Sequence, residues 1–155
     1  MKPKGSLMKL KFGVLALAIF LGACAVTAPT SPSVGASDSG NQDLGCFLPS
    51  NCVNSRGSGN LMPLRYSGTP ANAMALLQAT VASFPEATIV RTEPLALKLI
   101  FTTPVGFRDQ VDLSIDPQAQ RIDFRSRSLF GLIDFGKNHS RMREFATRFE
   151  QQSRR

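Results

Sequence analysis

The sequence predicts an α+β domain, a four-stranded antiparallel meander with two helices on one face in the order α-β-β-β-β-α. Three observations carry that expectation. Apolar residues recur at helical spacing near both ends of the region from Leu61 to Gln152, and four strand-like runs separated by turn residues lie between them. The last two runs can also be set in antiparallel register residue by residue.

The first helix is announced by "SGTPANAMALLQATVASFP", where Thr69 is the candidate N-cap, Pro70 takes the first helical position and Pro85 closes the segment. Ala73, Leu76, Leu77, Val81 and Phe84 make its apolar face. The strand-like runs are Ala87 to Thr92, Leu95 to Thr102, Val105 to Asp116 and Arg121 to Ser128. Leu95, Leu97, Leu99 and Phe101 alternate with Ala96, Lys98 and Ile100, so the second strand is expected to be covered more fully than its neighbours. The final helix, from about Ser140 to Gln152, places Met142, Phe145, Ala146 and Phe149 on one face.

"DPQAQR" reads as the turn between the third and fourth strands, with Asp116 opposite Arg121. That register sets Ile115 against Ile122 and Leu113 against Phe124 on the core side, and Asp112 against Arg125 and Gln110 against Arg127 on the other. The second set is expected to be a solvated face of cross-strand pairs, in which each exposed ion pair contributes about 0 to 1 kcal/mol. The same register turns Asp109, Ser126 and Ser128 toward the core side, where polar groups need partners.

The amino-terminal part is of a different kind. Lys2, Lys4, Lys9 and Lys11 precede an apolar run from Phe12 to Leu21, the layout of a secretory signal peptide, and the run is shorter than the roughly 20 residues that span a bilayer. Met8 would begin an equally complete leader. "LGAC" at Leu21 to Cys24 resembles the lipobox of bacterial lipoproteins, which implies cleavage before Cys24 and acylation of that cysteine, palmitate included. Ala25 follows it, so the aspartate that retains many enteric lipoproteins at the inner membrane is missing. The alternative is an ordinary secreted protein cut near Ala25. The expected organisation is a leader over 1–23, a lipidated cysteine and flexible tether over 24–44, and a single domain over 45–155 in the cell envelope, facing the periplasm or the outside. "TAPTSPSVGASDSGNQD" offers almost nothing to bury, and as a coil it would span about 20 to 25 Å.

Loss of the leader's four lysines takes the formal charge from +7 to +3, too little to imply nucleic acid as a partner. Anionic lipid headgroups or an envelope protein remain as partners for a domain held at a membrane. Cys46 and Cys52 flank Pro49, and in an oxidising compartment a disulfide is the simplest use of such a pair. Zinc is the alternative, but a structural site normally takes four ligands and the chain holds a single histidine, His139. No metal or other cofactor is expected.

The stretch "RIDFRSRSLFGLIDFGKNHSRMREF" gathers the remaining polar candidates: Arg125, Ser126, Ser128, Asp134, Asn138 and Arg141, with Asp109 brought to the same end by the register. They are expected to form a clasp in which Asp134 and Asn138 tie the loop to the final helix, whose first amides lack intrahelical partners. Gly131 and Gly136 are expected where a side chain would clash.

With "GCFLPSNCVNS", "PLRYSGTP", "GFRDQVDLSID" and "RSRSLFGLIDFGKNHSRM", the chain from Cys46 to about Phe149 resembles the bacterial and plastid proteins grouped as domain of unknown function 1499. Arg125, Ser126, Ser128, Gly131, Asp134, Gly136, Asn138 and Arg141 stand at positions of that family's pattern. Leu129 and His139 stand where arginine is usual, and Gln110 where a second acid is usual. The resemblance implies a shared architecture and a candidate surface, not a reaction.

The function expected is therefore a non-enzymatic binding or assembly module, with a small-ligand or lipid carrier as the alternative. An enzyme would have to pair Asp134 or Asp109 with His139, since the sequence carries no serine-histidine-aspartate order and no glycine-rich phosphate loop. The lipoprotein expectation has a direct test: Cys24→Ser should leave an uncleaved precursor or release the protein from membranes, with loss of radiolabelled palmitate. Full labelling of that variant would end the lipoprotein reading.

Overall fold

Thr69 caps the first helix, α1 (Pro70–Ala82), by accepting a hydrogen bond on Oγ1 from the Asn72 amide at 3.2 Å. Ala73, Leu77 and Val81 are buried along its inner face, and Phe84, just past its end, continues that face into the core. The computed structural model describes residues 43–57 and 59–155. The expected leader, Cys24 and the tether as far as Gln42 lie outside the described residues. Leu44, expected at the tether's end, is buried, and its carbonyl accepts from Asn54 Nδ2 at 3.0 Å.

The fold is α+β with two helices and an antiparallel sheet, but the sheet has six strands rather than four. In chain order they are β1 (Cys52–Asn54), β2 (Leu64–Arg65), β3 (Ala87–Glu93), β4 (Ala96–Thr102), β5 (Arg108–Asp116) and β6 (Arg121–Ser128). The spatial order is β1-β6-β5-β4-β3, with β2 also paired to β6. The two additional strands are only three and two residues long, too short to show an alternating pattern. Both pair along β6, so the strand expected at the edge of the meander is covered on its outer side.

The β5–β6 register runs from Asp109 opposite Ser128 to Asp116 opposite Arg121, as the charge pattern predicts. β5 begins at Arg108, not Val105, because Thr103 to Phe107 closes a turn instead of extending the strand. The Thr103 and Gly106 amides donate to the Phe107 and Thr103 carbonyls at 2.8 Å each, with Gly106 at φ +88°. Across β4, β5 and β6 the core-side rows read Leu97-Leu113-Phe124, then Leu99-Val111-Ser126, then Phe101-Asp109-Ser128. Each step toward the loop end of the sheet thus exchanges an apolar side chain for a polar one.

The second helix, α2 (Lys137–Ser153), begins three residues before the expected Ser140. Met142, Phe145 and Phe149 pack from it onto the same sheet face as α1. Phe84 joins the two helices: its ring lies edge-on to Phe101 at 5.4 Å and stacked on Phe145 at 5.8 Å. The Arg148 guanidinium caps the same ring at 3.8 Å and donates to the Ser83 carbonyl, which fastens α2 to the end of α1.

Because Phe145 is wholly buried at this junction, Phe145→Ala should lower stability by about 3 to 5 kcal/mol. Urea unfolding reads this directly, and a loss below about 1 kcal/mol would mean that the helix junction is not part of the cooperative core.

Candidate functional site

At the loop end of the sheet the polar row meets the start of α2. Asp109 and Ser128 face each other across β5 and β6, and Ser128 Oγ donates to Asp109 Oδ1 at 2.6 Å. Asn138, in the first turn of α2 and fully buried, donates through Nδ2 to Ser128 Oγ at 3.2 Å and to the Asn51 carbonyl at 3.1 Å. Its Oδ1 accepts from Ser126 Oγ at 2.6 Å and from Arg141 Nη1 at 3.2 Å. Arg141 closes the circuit with an ion pair to Asp109 Oδ2 at 2.8 Å, while its guanidinium lies 4.7 Å from the centre of the Phe101 ring. Asp109, Ser128, Asn138 and Arg141 therefore form a closed ring of hydrogen bonds. Both amide protons and both oxygen lone pairs of Asn138 are used.

Asp134 serves the helix start from outside. Its Oδ2 accepts from the Asn138 amide at 2.8 Å and its Oδ1 from the Gly136 amide at 3.0 Å. The N-cap residue itself is Gly136, at φ +75°, which supplies no side chain; Asp134 accepts from the helix's second amide in its place. Asn138 was expected to share this capping task, but its side chain turns inward to the sheet instead. Neither Gly136 nor Gly131 is there to avoid a clash. A Cβ at Gly136 would meet nothing within 4 Å, and at Gly131 only the Ile133 carbonyl at 4.0 Å; what both positions require is a positive φ.

The Cys46–Cys52 disulfide closes a loop that is pinned to the same end of the sheet. Asn51 Nδ2 donates to the Gly131 carbonyl at 2.6 Å, Ser50 Oγ donates to the Leu132 carbonyl, and the Asp134 amide donates to the Ser50 carbonyl at 3.2 Å. Asn51 is thus a member of the cluster that the sequence argument did not select. It sits in a short loop with no periodicity, and it contributes both through its side-chain amide to Gly131 and through a backbone carbonyl that any residue would carry.

Above the polar ring lies an open cleft of about 720 Å³ between the turn at 103–107 and the loop at 129–137. Val105, Phe107, Phe130, Ile133 and Phe135 wall it, and Asp109 and Ser128 line its inner side. These apolar side chains are exposed, Phe130 at 77% and Phe135 at 94%. Phe135 also holds a left-handed backbone at φ +52°, costly for a bulky residue. Sequence reasoning missed this wall. The run Leu129, Phe130, Leu132, Ile133, Phe135 has neither helical nor strand spacing, and that was the signal available.

Arg125 does not join the cluster. It lies on the opposite sheet face, where Nη2 pairs with Asp112 Oδ2 at 2.8 Å and Nη1 donates to the Gly45 carbonyl at 3.0 Å. Nor is that face simply solvated: Asp112 is 1% exposed and Asp123 2%. Arg125, Lys98 and Gln110 lie about Asp112, and Arg56, Arg121 and Ser55 about Asp123, so long polar side chains shield the carboxylates they pair. His139 points elsewhere again, with Nε2 2.7 Å from the Gly59 carbonyl, while the Asp109 and Asp134 carboxylates are engaged by Arg141, Ser128 and backbone amides. Among the described residues, no group of three or more histidine, cysteine or acidic side chains is placed to hold a metal ion.

The family model described as "Protein of unknown function (DUF1499)" matches residues 36–149, which takes in every strand, both helices up to Phe149 and the whole polar ring. The chain belongs to the DUF1499 family. No curated protein matches it. In this DUF1499 chain Ser126, Ser128, Asn138 and Arg141 meet in one buried network, whereas Arg125 stands apart from them.

The closed ring makes a distinguishable prediction. Arg141→Met leaves Asp109 as a buried charge without its partner and should cost about 3 to 5 kcal/mol, whereas Asn138→Ala, which strands the buried Ser126 hydroxyl but leaves Ser128 bonded to Asp109 and the Asn51 carbonyl bonded to the Ser128 amide, should cost about 1 to 3 kcal/mol. The double variant Asp109→Leu/Arg141→Met should recover most of the loss of Arg141→Met alone. Additive losses in denaturant unfolding would contradict a coupled ring.

Proposed function

We propose that the protein is an envelope lipoprotein, held at a membrane by a lipid on Cys24, whose domain is a non-enzymatic binding module with the loop end of the sheet as its recognition surface. The supporting observation is the pairing of a saturated polar ring with an unsatisfied apolar wall at one place. In the ring, the hydrogen-bonding capacity of Asn138 is fully used and Asp109 is paired with Arg141, so these groups hold the loops still. The wall directly above, with Phe107, Phe130, Ile133 and Phe135, remains open to water. Exposed apolar side chains gathered on rigidly held loops are what a binding surface requires, whereas singly scattered ones need no explanation.

A single observation favours a second reading, a carrier for one small apolar ligand or lipid. The cleft of about 720 Å³ has apolar walls and an Asp109–Ser128 polar end, a combination common in small-molecule sites. Its width of opening to solvent speaks for contact with a larger surface.

Mass spectrometry of lipids and proteins co-purifying with the full chain from its own envelope tests the proposal. Wild type should retain a specific lipid or protein that Phe130→Ser/Phe135→Ser loses about tenfold or more, with melting unchanged. Equal recovery from the two chains would sink the binding reading at this surface. A lipid recovered at one per chain would instead favour the carrier.

A further inference from the structure

We infer that the occupant of this surface is an anionic lipid bilayer, into whose interface the loops at 103–107 and 129–137 dip their aromatic and aliphatic side chains. The inference rests on the reading of the loop end as the recognition surface, and it names what that surface meets.

Three features on the same end of the molecule point there. The first is the composition of the projecting side chains. Val105, Phe107, Phe130, Leu132, Ile133 and Phe135 are all more than half exposed, and none of them belongs to the core cluster. Aromatic and large aliphatic groups projecting from loops partition into the headgroup and upper acyl region without any need to span it. A partner protein's pocket would require shape on both sides; a bilayer requires only projection.

The second feature is charge. Within the two loops and their immediate flanks the exposed ionisable side chains are cationic: Lys137, which lines the cleft, and Arg108, next to Phe107 in the chain. Of the acids of the same region, Asp109 is neutralised by Arg141, while Asp134 keeps its charge and is turned to the amides that start α2. The surface therefore sets two exposed cations, Arg108 and Lys137, beside an apolar centre, where they can meet anionic headgroups over acyl chains.

The third feature is where the chain enters. The described part begins at Asp43, and within a few residues Cys46 is bonded to Cys52 in the loop clamped onto Gly131 and Leu132. Phe47, 96% exposed, projects from that same loop and, with Leu48 and Leu129, extends the apolar surface beyond the cleft. A lipid on Cys24, joined to the domain by a tether that spans about 20 to 25 Å as a coil, would keep these loops within reach of the bilayer it enters.

The chain contains no tryptophan, which allows a site-specific test in the full-length protein. Phe135→Trp and, separately, Phe130→Trp are purified from the envelope and reconstituted into phosphatidylcholine vesicles with or without phosphatidylglycerol, their acyl chains dibrominated. Val90→Trp, at an exposed position on the outermost strand β3, is the control. Docking predicts blue-shifted emission and strong quenching at 135 and 130 with phosphatidylglycerol present, weaker quenching in its absence, and none at 90. Arg108→Glu/Lys137→Glu should reduce quenching about tenfold in the lipid concentration required. Because Phe130 does not share the left-handed backbone of Phe135, the second probe keeps the test valid if the first variant misfolds. The inference is overturned if tryptophans at 135 and 130 are no more quenched than at 90. It is equally overturned if they are shielded from acrylamide in native membranes but not quenched by lipid, which would assign the surface to a protein, or if monomeric brominated fatty acid quenches them as well as vesicles do, which would assign it to a carrier. In the last two cases the loop end would still be a recognition surface, so this failure differs from failure of the binding reading.

Discussion

The side-chain amide of Asn138 sets the geometry of the whole loop end. It must reach Ser126 and Ser128 on β6, the Asn51 carbonyl in the disulfide loop and Arg141 one turn further along its own helix. An amide buried among four partners tolerates little displacement, because any bond it loses is not replaced by water. Its position fixes where α2 begins. The helix has to start early enough for residue 138 to lie in its first turn, which puts the left-handed turn at Gly136 and the carboxylate of Asp134 just upstream. A helix starting at Ser140 would leave that amide without its place over the sheet. Tertiary satisfaction, not helix propensity, decides this boundary.

The same constraint separates what the sequence reveals from what it hides. The β5–β6 register is readable because Asp112 and Arg125, Asp116 and Arg121, and Leu113 and Phe124 state it redundantly at period two. That register alone turns Asp109, Ser126 and Ser128 to the helix side, so most of the polar ring could be anticipated. β1 and β2 could not be anticipated, since two or three residues carry no period and their pairing with β6 is dictated by the disulfide loop and the chain's return path. The burial of Asp112 and Asp123 was equally hidden. Whether a strand face is wet depends on the long side chains that fold over it, and on the passage of residues 44 to 56 beside β6, neither of which has a pattern along the chain.

Arg125 shows how a sequence motif can mislead. In "RSRSLFG" the residues adjoin, yet alternation sends Ser126 and Ser128 to one face and Arg125 and Arg127 to the other. The serines enter the ring with Asn138, while the arginines neutralise or lean on Asp112 and Gln110. A single strand thus supplies two polar systems with different work: one fixes the helix and loops, and the other holds down the sheet's outer face and the chain segment at Gly45.

The division of labour explains how so apolar a loop can remain exposed. In most domains, phenylalanine and isoleucine at the end of a sheet would be drawn into the core, since their burial is worth about 1.5 to 3 kcal/mol each. Here that end of the core is already closed by a polar lid: Asp109, Ser128, Asn138 and Arg141 fill the space beyond Phe101, and their hydrogen bonds are mutual. Inserting Phe130 or Phe135 would require breaking that ring, which costs more than burial of one aromatic side chain returns. The polar ring therefore does more than hold α2 to the sheet. By occupying the core's end with groups that cannot be displaced cheaply, it keeps the apolar loops outside the core.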